Sequence, residues 1–514
     1  MKKLLPGLLL LALTFSCRTT PRPAPLPPED GQIEIVFLQL NDVYEIAPLE
    51  GGKVGGLARV ATIREKLRQE NHNTITVMAG DFLNPSVLGT LKHEGKNIAG
   101  RQMVDVLNVM GLDLATFGNH EFDLKEAELL ERLRESRFGW VSSNAGHWQG
   151  DSLRRFPSGP GGDSVSPTWI FDFADADGTR LRIGVTAVTL PSTQKPYVRY
   201  SNVYRAAETG YQSLERMTDC VIGLTHVSID EDKEISRRVP GIRLIMGGHE
   251  HDHMYHQVGN TYIAKADANA KTVYVHRLRF DKNTRQVDIQ STLVPVDSTV
   301  AFEPRTDSVV RKWTDIAARS FREMGFDPDQ VLMTAAEPLD GRESSIRNGS
   351  TNLTRLVAAA VTAAAPRSEL TVLNSGSIRV DDQLTGAITQ YDVLRALPFG
   401  GKLVEADLSG HLLDSVLSIG RNNKGSGGYL QLDRAAYDET AGRWLVAGKP
   451  VNPKKTYRVA LPAFLLTGEE KGLGFLKPGK AGLGPVYEPE AADKNDLRHD
   501  IRLAVIAYMR GLNK

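Results

Sequence analysis

The chain is poor in cysteine, carries no net charge, and shows no internal repeat. Only two of its 514 residues are cysteines. Cys220 lies in an apolar run, residues 220–224, and we expect a small buried thiol there rather than half of a disulfide. Formal net charge is zero, which excludes a general attraction to nucleic acid or to an anionic membrane. Any recognition of anions must therefore come from local arginines or from bound metal.

The only candidate targeting segment is at the N-terminus. Residues 1–3 are basic, and residues 4–15 are apolar but too short to span a bilayer. The segment ends in Ser16-Cys17 and resembles a bacterial lipoprotein signal, with the lipid on Cys17. An ordinary secretory signal cleaved nearby is the alternative, and either one predicts export to the periplasm or cell surface. Residues 1–17 are thus a predicted signal, and the proline-rich residues 18–32 a predicted tether.

The rest of the chain has ordinary globular composition, 41% hydrophobic and 24% charged, and its length predicts at least two domains. The first half alternates strands and helices, with polar residues where strands end. This order indicates an α/β sheet with its functional site at the C-terminal ends of the strands. The predicted strands are 33–40, 75–79, 112–117, 180–188, 220–225 and 243–246, with further strands within 261–294; the predicted helices are 57–70, 100–110 and 124–135.

Residues 146–168 of the first half, rich in Gly, Pro and Ser, are predicted to be a surface insertion. A helix over 306–324 is predicted to connect the two halves. The second half has elements of its own. A helix at 352–365 and strands at 369–373, 403–408 and 456–462 are enough for an independent core. We predict a first domain at 33–300, a connector at 301–335 and a second domain at 336–514.

Metal-binding residue types stand at successive strand ends of the first half. They are oxygen and nitrogen donors suited to divalent ions, and no thiolate is among them. One carboxylate, Asp81, is placed to bridge two ions. His249 and His251 are separated by one residue, so both point to one face of an extended segment. The set is Asp42, Asp81, Asn119, His226, His249 and His251, with His120 and Asp123 beside it.

These motifs resemble the calcineurin-like metallophosphoesterases. Asn41-Asp42, Gly80-Asp81, the run Gly118-Asn119-His120-Glu121 and the run Gly248-His249-Glu250-His251 occur in the order found in the bacterial 5′-nucleotidase family. The resemblance implies a four-layer α/β/β/α sandwich in the first half, and a second α/β domain that binds substrate. It also implies that the connector at 301–335 acts as a hinge.

The resemblance further implies two divalent ions, such as Zn²⁺, Mn²⁺ or Mg²⁺. One would take Asp42, Asp81 and His251, and the other Asp81, Asn119, His226 and His249. His120, oriented by Asp123, would protonate the leaving oxygen or stabilise charge in the transition state. The family usually has His where this chain has Tyr44, and a protonated phenol is a poor ligand. The ion near Asp42 is therefore predicted to be weakly held, hydrated, or of a harder kind.

The second half carries a candidate substrate set. Arg342, Arg347 and Arg379 offer guanidinium groups for phosphate. By the resemblance, Phe399 and Phe464 would stack on a nucleobase, Asn374 would line the same site, and Glu470 would stand in for the family's ribose-binding Asp.

The predicted function is metal-dependent hydrolysis of nucleoside 5′-monophosphates to nucleoside and phosphate. A broader phosphoesterase acting on UDP-sugars, nucleoside polyphosphates or cyclic nucleotides is the first alternative. A surface nucleotide-binding lipoprotein with weak catalysis is the second. We expect a monomer that binds a nucleotide and no nucleic acid polymer, and that meets the membrane only through its lipid.

Overall fold

The computed structural model describes residues 29–512. The predicted signal peptide and most of the predicted tether lie outside these described residues. Among the helices that are described, none combines the length and the apolar character needed to cross a membrane.

The first half contains two six-stranded sheets packed face to face. In the first sheet four neighbouring strands run parallel, and the hairpin Thr272–Asp281 and Gln286–Pro295 extends it on one side through antiparallel pairing. Its strands in spatial order are Gln286–Pro295, Thr272–Asp281, Gln32–Leu40, Thr74–Ala79, Leu114–Thr116 and Gly139–Val141. The predicted first three strands are confirmed within two residues at either end.

The second sheet is built around three parallel pairings. Its strands in spatial order are Thr168–Ala174, Arg180–Thr189, Cys220–His226, Ile242–Gly247, Thr261–Lys265 and Met254–Val258. The inner faces of the two sheets share one apolar core, in which Phe37 and Val77 of the first meet Ile222 and Met246 of the second. Such mutual burial is the main favourable term in folding.

Helices cover both outer faces and complete the predicted four layers. Leu57–Glu70, Arg101–Met110 and Glu126–Glu135 pack on the first sheet, and Val203–Leu214 and Ile229–Arg238 on the second. The helix Ile229–Arg238 starts at a capping box in which Ser228 and Glu231 satisfy each other's backbone N–H groups. That helix follows His226 at once, so its start is fixed close to the strand end.

The segment 146–168 is not simply a surface insertion, and that prediction is wrong in part. It forms the short strands Ala145–Gln149, Ser152–Arg154, Pro157–Ser158 and Asp163–Ser164. Phe156 is buried, and its ring centroid lies 5.5 Å from that of Phe117 and 6.0 Å from that of Phe122. Composition alone hid this, because one aromatic anchor is enough to hold a Gly-rich segment against the core.

The helix Pro304–Glu323 follows the first half and packs on it. Trp313 is fully buried, and its indole Nε1–H donates to Asp105 Oδ2 at 3.1 Å. Phe321, near the other end, is also fully buried, and its ring centroid lies 6.2 Å from that of Tyr391 in the second half. The apolar core on this side is continuous across both halves.

The second half is a five-stranded sheet with helices on both faces. Its strands in spatial order are Leu430–Asp433, Leu370–Asn374, Thr456–Pro462, Leu403–Ser409 and Leu483–Tyr487. Its helices are Glu343–Ile346, Asn352–Ala364, Gln390–Ala396, Gly410–Asn422 and Ile501–Leu512. The shorter strands of the described chain are Lys92–His93, Lys96–Asn97, Val198–Tyr200, Val331–Thr334, Leu339–Asp340, Gln383–Leu384, Ala387–Thr389, Ala435–Asp438, Arg443–Val446 and Lys449–Pro450.

Candidate active site

The proposed ligands come from loops at one edge of the sandwich, and both sheets contribute. Asp42, Asp81 and Asn119 follow three parallel strands of the first sheet. His226 ends a strand of the second sheet, and His249 and His251 follow its neighbour. Because the sheets face each other, residues far apart in sequence meet at this edge.

Asp42, Asp81 and His251 form a compact group. One ligand atom from each lies within 4.8 Å of the others, and His251 Nε2 is 3.2 Å from Asp42 Oδ1. All three residues have φ in the left-handed region, at 53°, 55° and 63°. His249 shares this conformation, with φ at 95°. Strained backbone of this kind persists where the surrounding structure fixes it, and it concentrates at functional sites.

His226 adds a nitrogen to this group. Its Nδ1–H donates to the carbonyl of Ala79 at 2.8 Å, which leaves Nε2 pointing at Asp81 Oδ2, 3.1 Å away. Burial alone would lower the pKa of His226, but the carboxylates of Asp81 and Asp42 raise it to about 10. The site therefore has a strongly negative potential that favours a cation.

His249 lies beside His226, with ring centroids 5.5 Å apart. Its backbone N–H donates to Asp42 Oδ2 at 2.9 Å, which ties the second-sheet loop to the first sheet. Burial and then the neighbouring His226 lower the pKa of His249 to about 3. A neutral imidazole is the form that ligates metal.

Several buried oxygen and nitrogen atoms of this edge make no hydrogen bond of normal geometry within residues 29–512, although two of them lie close to an oppositely charged group. They include Asp42 Oδ1, Asn119 Oδ1 and His226 Nε2. Buried polar atoms are rarely left unpaired, so each such atom calls for an explanation. The donor set, carboxylate and amide oxygens with imidazole nitrogens, fits divalent ions such as Zn²⁺, Mn²⁺ or Mg²⁺. The residues present thus fit the metal centre that the sequence predicts.

Tyr44 lies inside this centre. Its hydroxyl donates to Asp81 Oδ2 at 3.2 Å and is also 3.2 Å from His251 Nε2. Burial, then Asp81 and Asp42, raise the pKa of the Tyr44 phenol well above its usual value. The phenol is therefore protonated at neutral pH and acts as a hydrogen-bond donor to Asp81.

The loop Gly118–Asp123 is locked against Asp81. A Cβ at Gly118 would come within 2.0 Å of Asp81 Oδ1, so only glycine fits there. The backbone N–H of His120 donates to the same oxygen at 2.8 Å. The His120 ring is held by Asp123, with Nδ1 2.6 Å from Oδ2. The predicted pairing of His120 with Asp123 is thus present.

Glu121 is a functional residue that sequence reasoning missed. Its buried carboxylate accepts the backbone N–H groups of Gly118, Asp81, Phe82 and Leu83 at 2.6 to 3.0 Å. Burial and the nearby Asp81 raise the pKa of Glu121 to about 7. It fixes the turn that carries Asp81. Its place directly after the Asn119-His120 pair was the only signal in the sequence.

The second half reaches into the same edge. Arg379 Nη2 is 3.4 Å from His120 Nδ1, and Asp381 contacts the His251 imidazole at Nδ1. A cleft of about 440 Å³ opens beside these contacts. Residues of both halves line it, among them His249, His251, Lys271, Arg342, Arg347 and Asp381.

Two of the predicted phosphate-binding arginines already have acidic partners. Arg342 Nε lies 3.0 Å from Asp340 Oδ1, and Arg347 contacts Glu343 one helical turn away. Burial and the nearby Arg379 lower the pKa of Arg347 to about 10. Arg342 and Arg347 thus line the cleft and are paired internally. Arg379 lies beside His120 instead, with its Nη1 4.0 Å from Glu343 Oε1.

The remaining predicted substrate residues lie in the second half. Asn374 Nδ2 donates to Glu470 Oε2 at 2.8 Å, so the structure brings these two together. Phe399 and Phe464 keep 59% and 42% of their surfaces exposed. Aromatic rings that expose this much of their surface are not part of the apolar core, and they are available to stack on a flat ligand.

Two facing sheets with buried aspartates and histidines at one edge, capped by a second α/β domain, define a metallophosphoesterase architecture. The family model for calcineurin-like phosphoesterases matches residues 35–253, and the model for the 5′-nucleotidase C-terminal domain matches residues 331–476. The chain belongs to the 5′-nucleotidase family, whose members are hydrolases that join these two domains.

Relatives share this arrangement over most of the chain. The chain is 25% identical to "Protein UshA" of Salmonella pullorum, covering 89% of this chain and 90% of that one. It is 23% identical to the human "5′-nucleotidase", covering 90% and 86%. The "trifunctional nucleotide phosphoesterase protein YfkN" of Bacillus subtilis is 25% identical over 86% of this chain, which spans only 32% of that longer protein.

Solved structures agree on the fold. The crystal structure of a 5′-nucleotidase precursor from Thermus thermophilus superposes with a TM-score of 0.69 at 21% identity, covering 94% of this chain and 97% of that one. The sulfate thiohydrolase SoxB of the same organism superposes at 0.66 with 18% identity, covering 95% of each chain.

Proposed function

We propose that this protein is a metal-dependent 5′-nucleotidase that hydrolyses nucleoside 5′-monophosphates to nucleoside and phosphate. The observation that carries the proposal is the group of buried oxygen and nitrogen atoms of Asp42, Asn119 and His226 that make no hydrogen bond of normal geometry within residues 29–512. They lie at the edge where Asp81 meets His120 and where Arg379 arrives from the second half. Metal donors, an oriented histidine and a guanidinium group at one place suit phosphoryl transfer to water.

The residues have separate proposed tasks. Asp42, Asp81 and His251 hold one divalent ion, and Asp81, Asn119, His226 and His249 hold a second. When bound, such ions supply a Lewis acid that activates water and neutralises phosphoryl charge. Arg379 binds the phosphoryl oxygens as a planar fork. With Nδ1 held by Asp123, His120 has Nε2 free to hold a proton for the departing ribose oxygen.

The second half is proposed to select the nucleoside. Phe399 and Phe464 stack on the base. This contact favours nucleotides over phosphate esters that lack a base, and it does not depend on which base is present. Glu470, bonded to Asn374, accepts the ribose hydroxyls. Arg342 and Arg347 release Asp340 and Glu343 when phosphate enters, exchanging one anion for another.

A broader nucleotide phosphoesterase is the second candidate. The cleft of about 440 Å³ extends past the arginines to Lys271 and Thr385, which leaves room for a longer phosphate chain or a sugar. A catalytically weak nucleotide-binding protein is the third, and it rests on Tyr44, whose protonated phenol occupies Asp81 and His251.

One assay separates these candidates. Phosphate release is measured from AMP, ADP, UDP-glucose and 2′,3′-cyclic AMP with Mn²⁺, Zn²⁺ or Mg²⁺, alongside metal analysis of the purified protein. Asn119→Ala is the matched inactive control. Fastest release from AMP supports the first proposal, and comparable rates across the panel support the second. Nucleotide binding without release in any metal supports the third.

We also propose export, a lipid on Cys17 and a monomeric state. The support is the apolar segment that ends at Ser16-Cys17, followed by a proline-rich stretch. Partition of the expressed protein into detergent, compared with a Cys17→Ser variant, tests the lipid. Sedimentation tests the monomer.

A further inference from the structure

A fully buried lysine lies directly behind the histidine loops and belongs to none of the groups described so far. Lys265 ends the strand Thr261–Lys265 with no exposed side-chain surface. Its Nζ is 2.7 Å from the Val227 carbonyl, 2.8 Å from the Gly248 carbonyl and 2.5 Å from Glu250 Oε2. A second carboxylate, Asp232 Oδ2, is 2.9 Å away. An ammonium group has three protons, which the two carbonyls and Glu250 accept, and Asp232 adds a close charge contact.

The acceptors belong to the segments that carry the proposed ligands. Val227 directly follows His226. Gly248 directly precedes His249, and Glu250 lies between His249 and His251. One ammonium group therefore joins the backbone of both histidine loops.

The two carboxylates extend the connection. Asp232 Oδ1 accepts the Thr225 hydroxyl at 2.7 Å, one residue before His226. The other oxygen of Glu250 accepts the backbone N–H of Ile229, at the start of the helix Ile229–Arg238. Each loop is thus tied to Lys265 through backbone and through a side chain.

A buried ion group of this kind is weak support for stability, because removing charges from water costs much of what their attraction returns. Its retention is better explained by the geometry it imposes. A Cβ on Gly247 would come within 2.9 Å of Lys265 Cε, so the strand end before His249 is shaped around this side chain.

We propose that Lys265 is a positioning residue that sets the spacing between His226 and the His249–His251 loop for metal binding. The inference rests on the proposed metal centre but not on the choice of substrate. Partners behind metal ligands of this kind change metal affinity by about 10- to 100-fold when removed.

The test is metal titration of protein stripped with a chelator. Lys265→Met is expected to weaken Mn²⁺ or Zn²⁺ binding by about 10- to 100-fold, measured by calorimetry. Metal also raises the melting temperature of the wild type, and that rise is expected to shrink in the variant. Glu250→Gln removes only the charge of the side-chain tie to the His249–His251 loop and leaves the contact with the Gly248 carbonyl in place, so an effect of about tenfold is expected.

Arg132→Met is the matched control. Arg132 is also a buried cation of the first half, and it donates to the carbonyls of Ile98 and Ala99, neither of which adjoins a proposed ligand in sequence. It is expected to lower the melting temperature and leave metal affinity unchanged. Equal loss of affinity in the control would show a general effect and overturn the proposal.

The remaining outcomes also decide. If Lys265→Met does not fold, Glu250→Gln decides alone. Metal affinity within twofold of the wild type in the folded variants overturns the positioning role, even when AMP is hydrolysed. Weakened metal binding in a protein that hydrolyses no nucleotide supports the positioning role and refutes the proposed activity. Absence of metal binding in the wild type overturns both.

Discussion

The two walls of the cleft are built on different principles. On the metal wall the proposed ligands are buried or nearly so, and their loops are held by buried charged groups, Glu121 on one side and Lys265 on the other. On the substrate wall Arg342 keeps 40% of its side chain exposed, and its partner is its own neighbour Asp340. Phe399 does not line the cleft and is grouped with this wall only by its proposed task; it is more exposed still.

The metal wall has its groups positioned in advance, whereas the substrate wall would exchange internal ion-pair partners for a ligand. The metal wall is fixed before anything binds, which suits groups that must meet a transition state. The substrate wall holds Arg342 and Arg347 in internal ion pairs, which a phosphate would have to replace under the proposed function. Changes in the metal wall should therefore act mainly on kcat, and changes in the substrate wall mainly on KM.

The largest effect is expected for Asp81→Asn. Asp81 contacts His226, Tyr44 and the backbone of His120, so a neutral amide weakens both proposed ion sites at once. Phosphate release from saturating AMP with Mn²⁺ should fall by about 10³-fold or more. Asp172→Asn, at an exposed strand position, is the control. A rate within tenfold of the wild type would remove Asp81 from the proposed chemistry.

His120→Gln should show whether the metal wall also carries the acid. The rate with AMP should fall by about 10²- to 10³-fold, because the ribose oxygen needs a proton to leave. With p-nitrophenyl phosphate the fall should be under about tenfold, since that leaving group departs unprotonated. The exposed His72→Gln serves as control. Equal losses with both substrates would assign His120 to charge stabilisation instead.

Phe399→Ala is the corresponding change on the substrate wall. Loss of one stacked base should raise KM for AMP about tenfold with kcat nearly unchanged. KM for p-nitrophenyl phosphate should not move. Phe302→Ala, a ring of the connector that is 39% exposed, provides the comparison. A change in kcat alone would contradict the division between the walls.

The smallest effect is on stability, and it concerns the support behind the metal wall. His276 Nε2 is 2.9 Å from Gln39 Oε1, and Gln39 donates to the carbonyls of Gly247 and Ala264. Burial lowers the pKa of His276 to about 3.

Below about pH 6.5 His276 binds a proton in the unfolded chain but stays neutral in the folded chain. The contribution of neutral His276 to the free energy of unfolding is thus fully present above pH 6.5. It is lost as the pH falls toward 3, by at most about 1.4 kcal/mol per pH unit. Calorimetry of metal-free protein between pH 7 and 5 should show the melting temperature falling more steeply in the wild type than in His276→Gln. Parallel curves would contradict the assignment.

The sequence revealed much of the fold and of the donor set, because strands end in recognisable polar residues. Asp42, Asp81 and His226 could be found in this way. Glu121 and Lys265 could not, because each acts by binding backbone groups 17 to 40 residues away along the chain. Phe156 was missed for a similar reason: isolated aromatics such as Trp148 and Phe156 in a Gly-rich segment have no periodicity to indicate which of them is buried.

The internal pairing of the arginines was equally hidden. A guanidinium group near a carboxylate in sequence, as Arg347 is near Glu343, reads the same whether it binds substrate or its neighbour. What the structure adds is that both residues line the cleft.

The left-handed backbone at Asp42, Asp81, His249 and His251 restricts how this site can change over generations. Apart from glycine, Asn, Asp and His are the residues that adopt this conformation most readily. A replacement at any of these positions must therefore meet two requirements: a side chain that can ligate a metal ion, and a backbone that tolerates positive φ. Substitution among Asn, Asp and His keeps the backbone conformation accessible. A β-branched residue would strain the backbone at these positions, whatever its effect on metal binding.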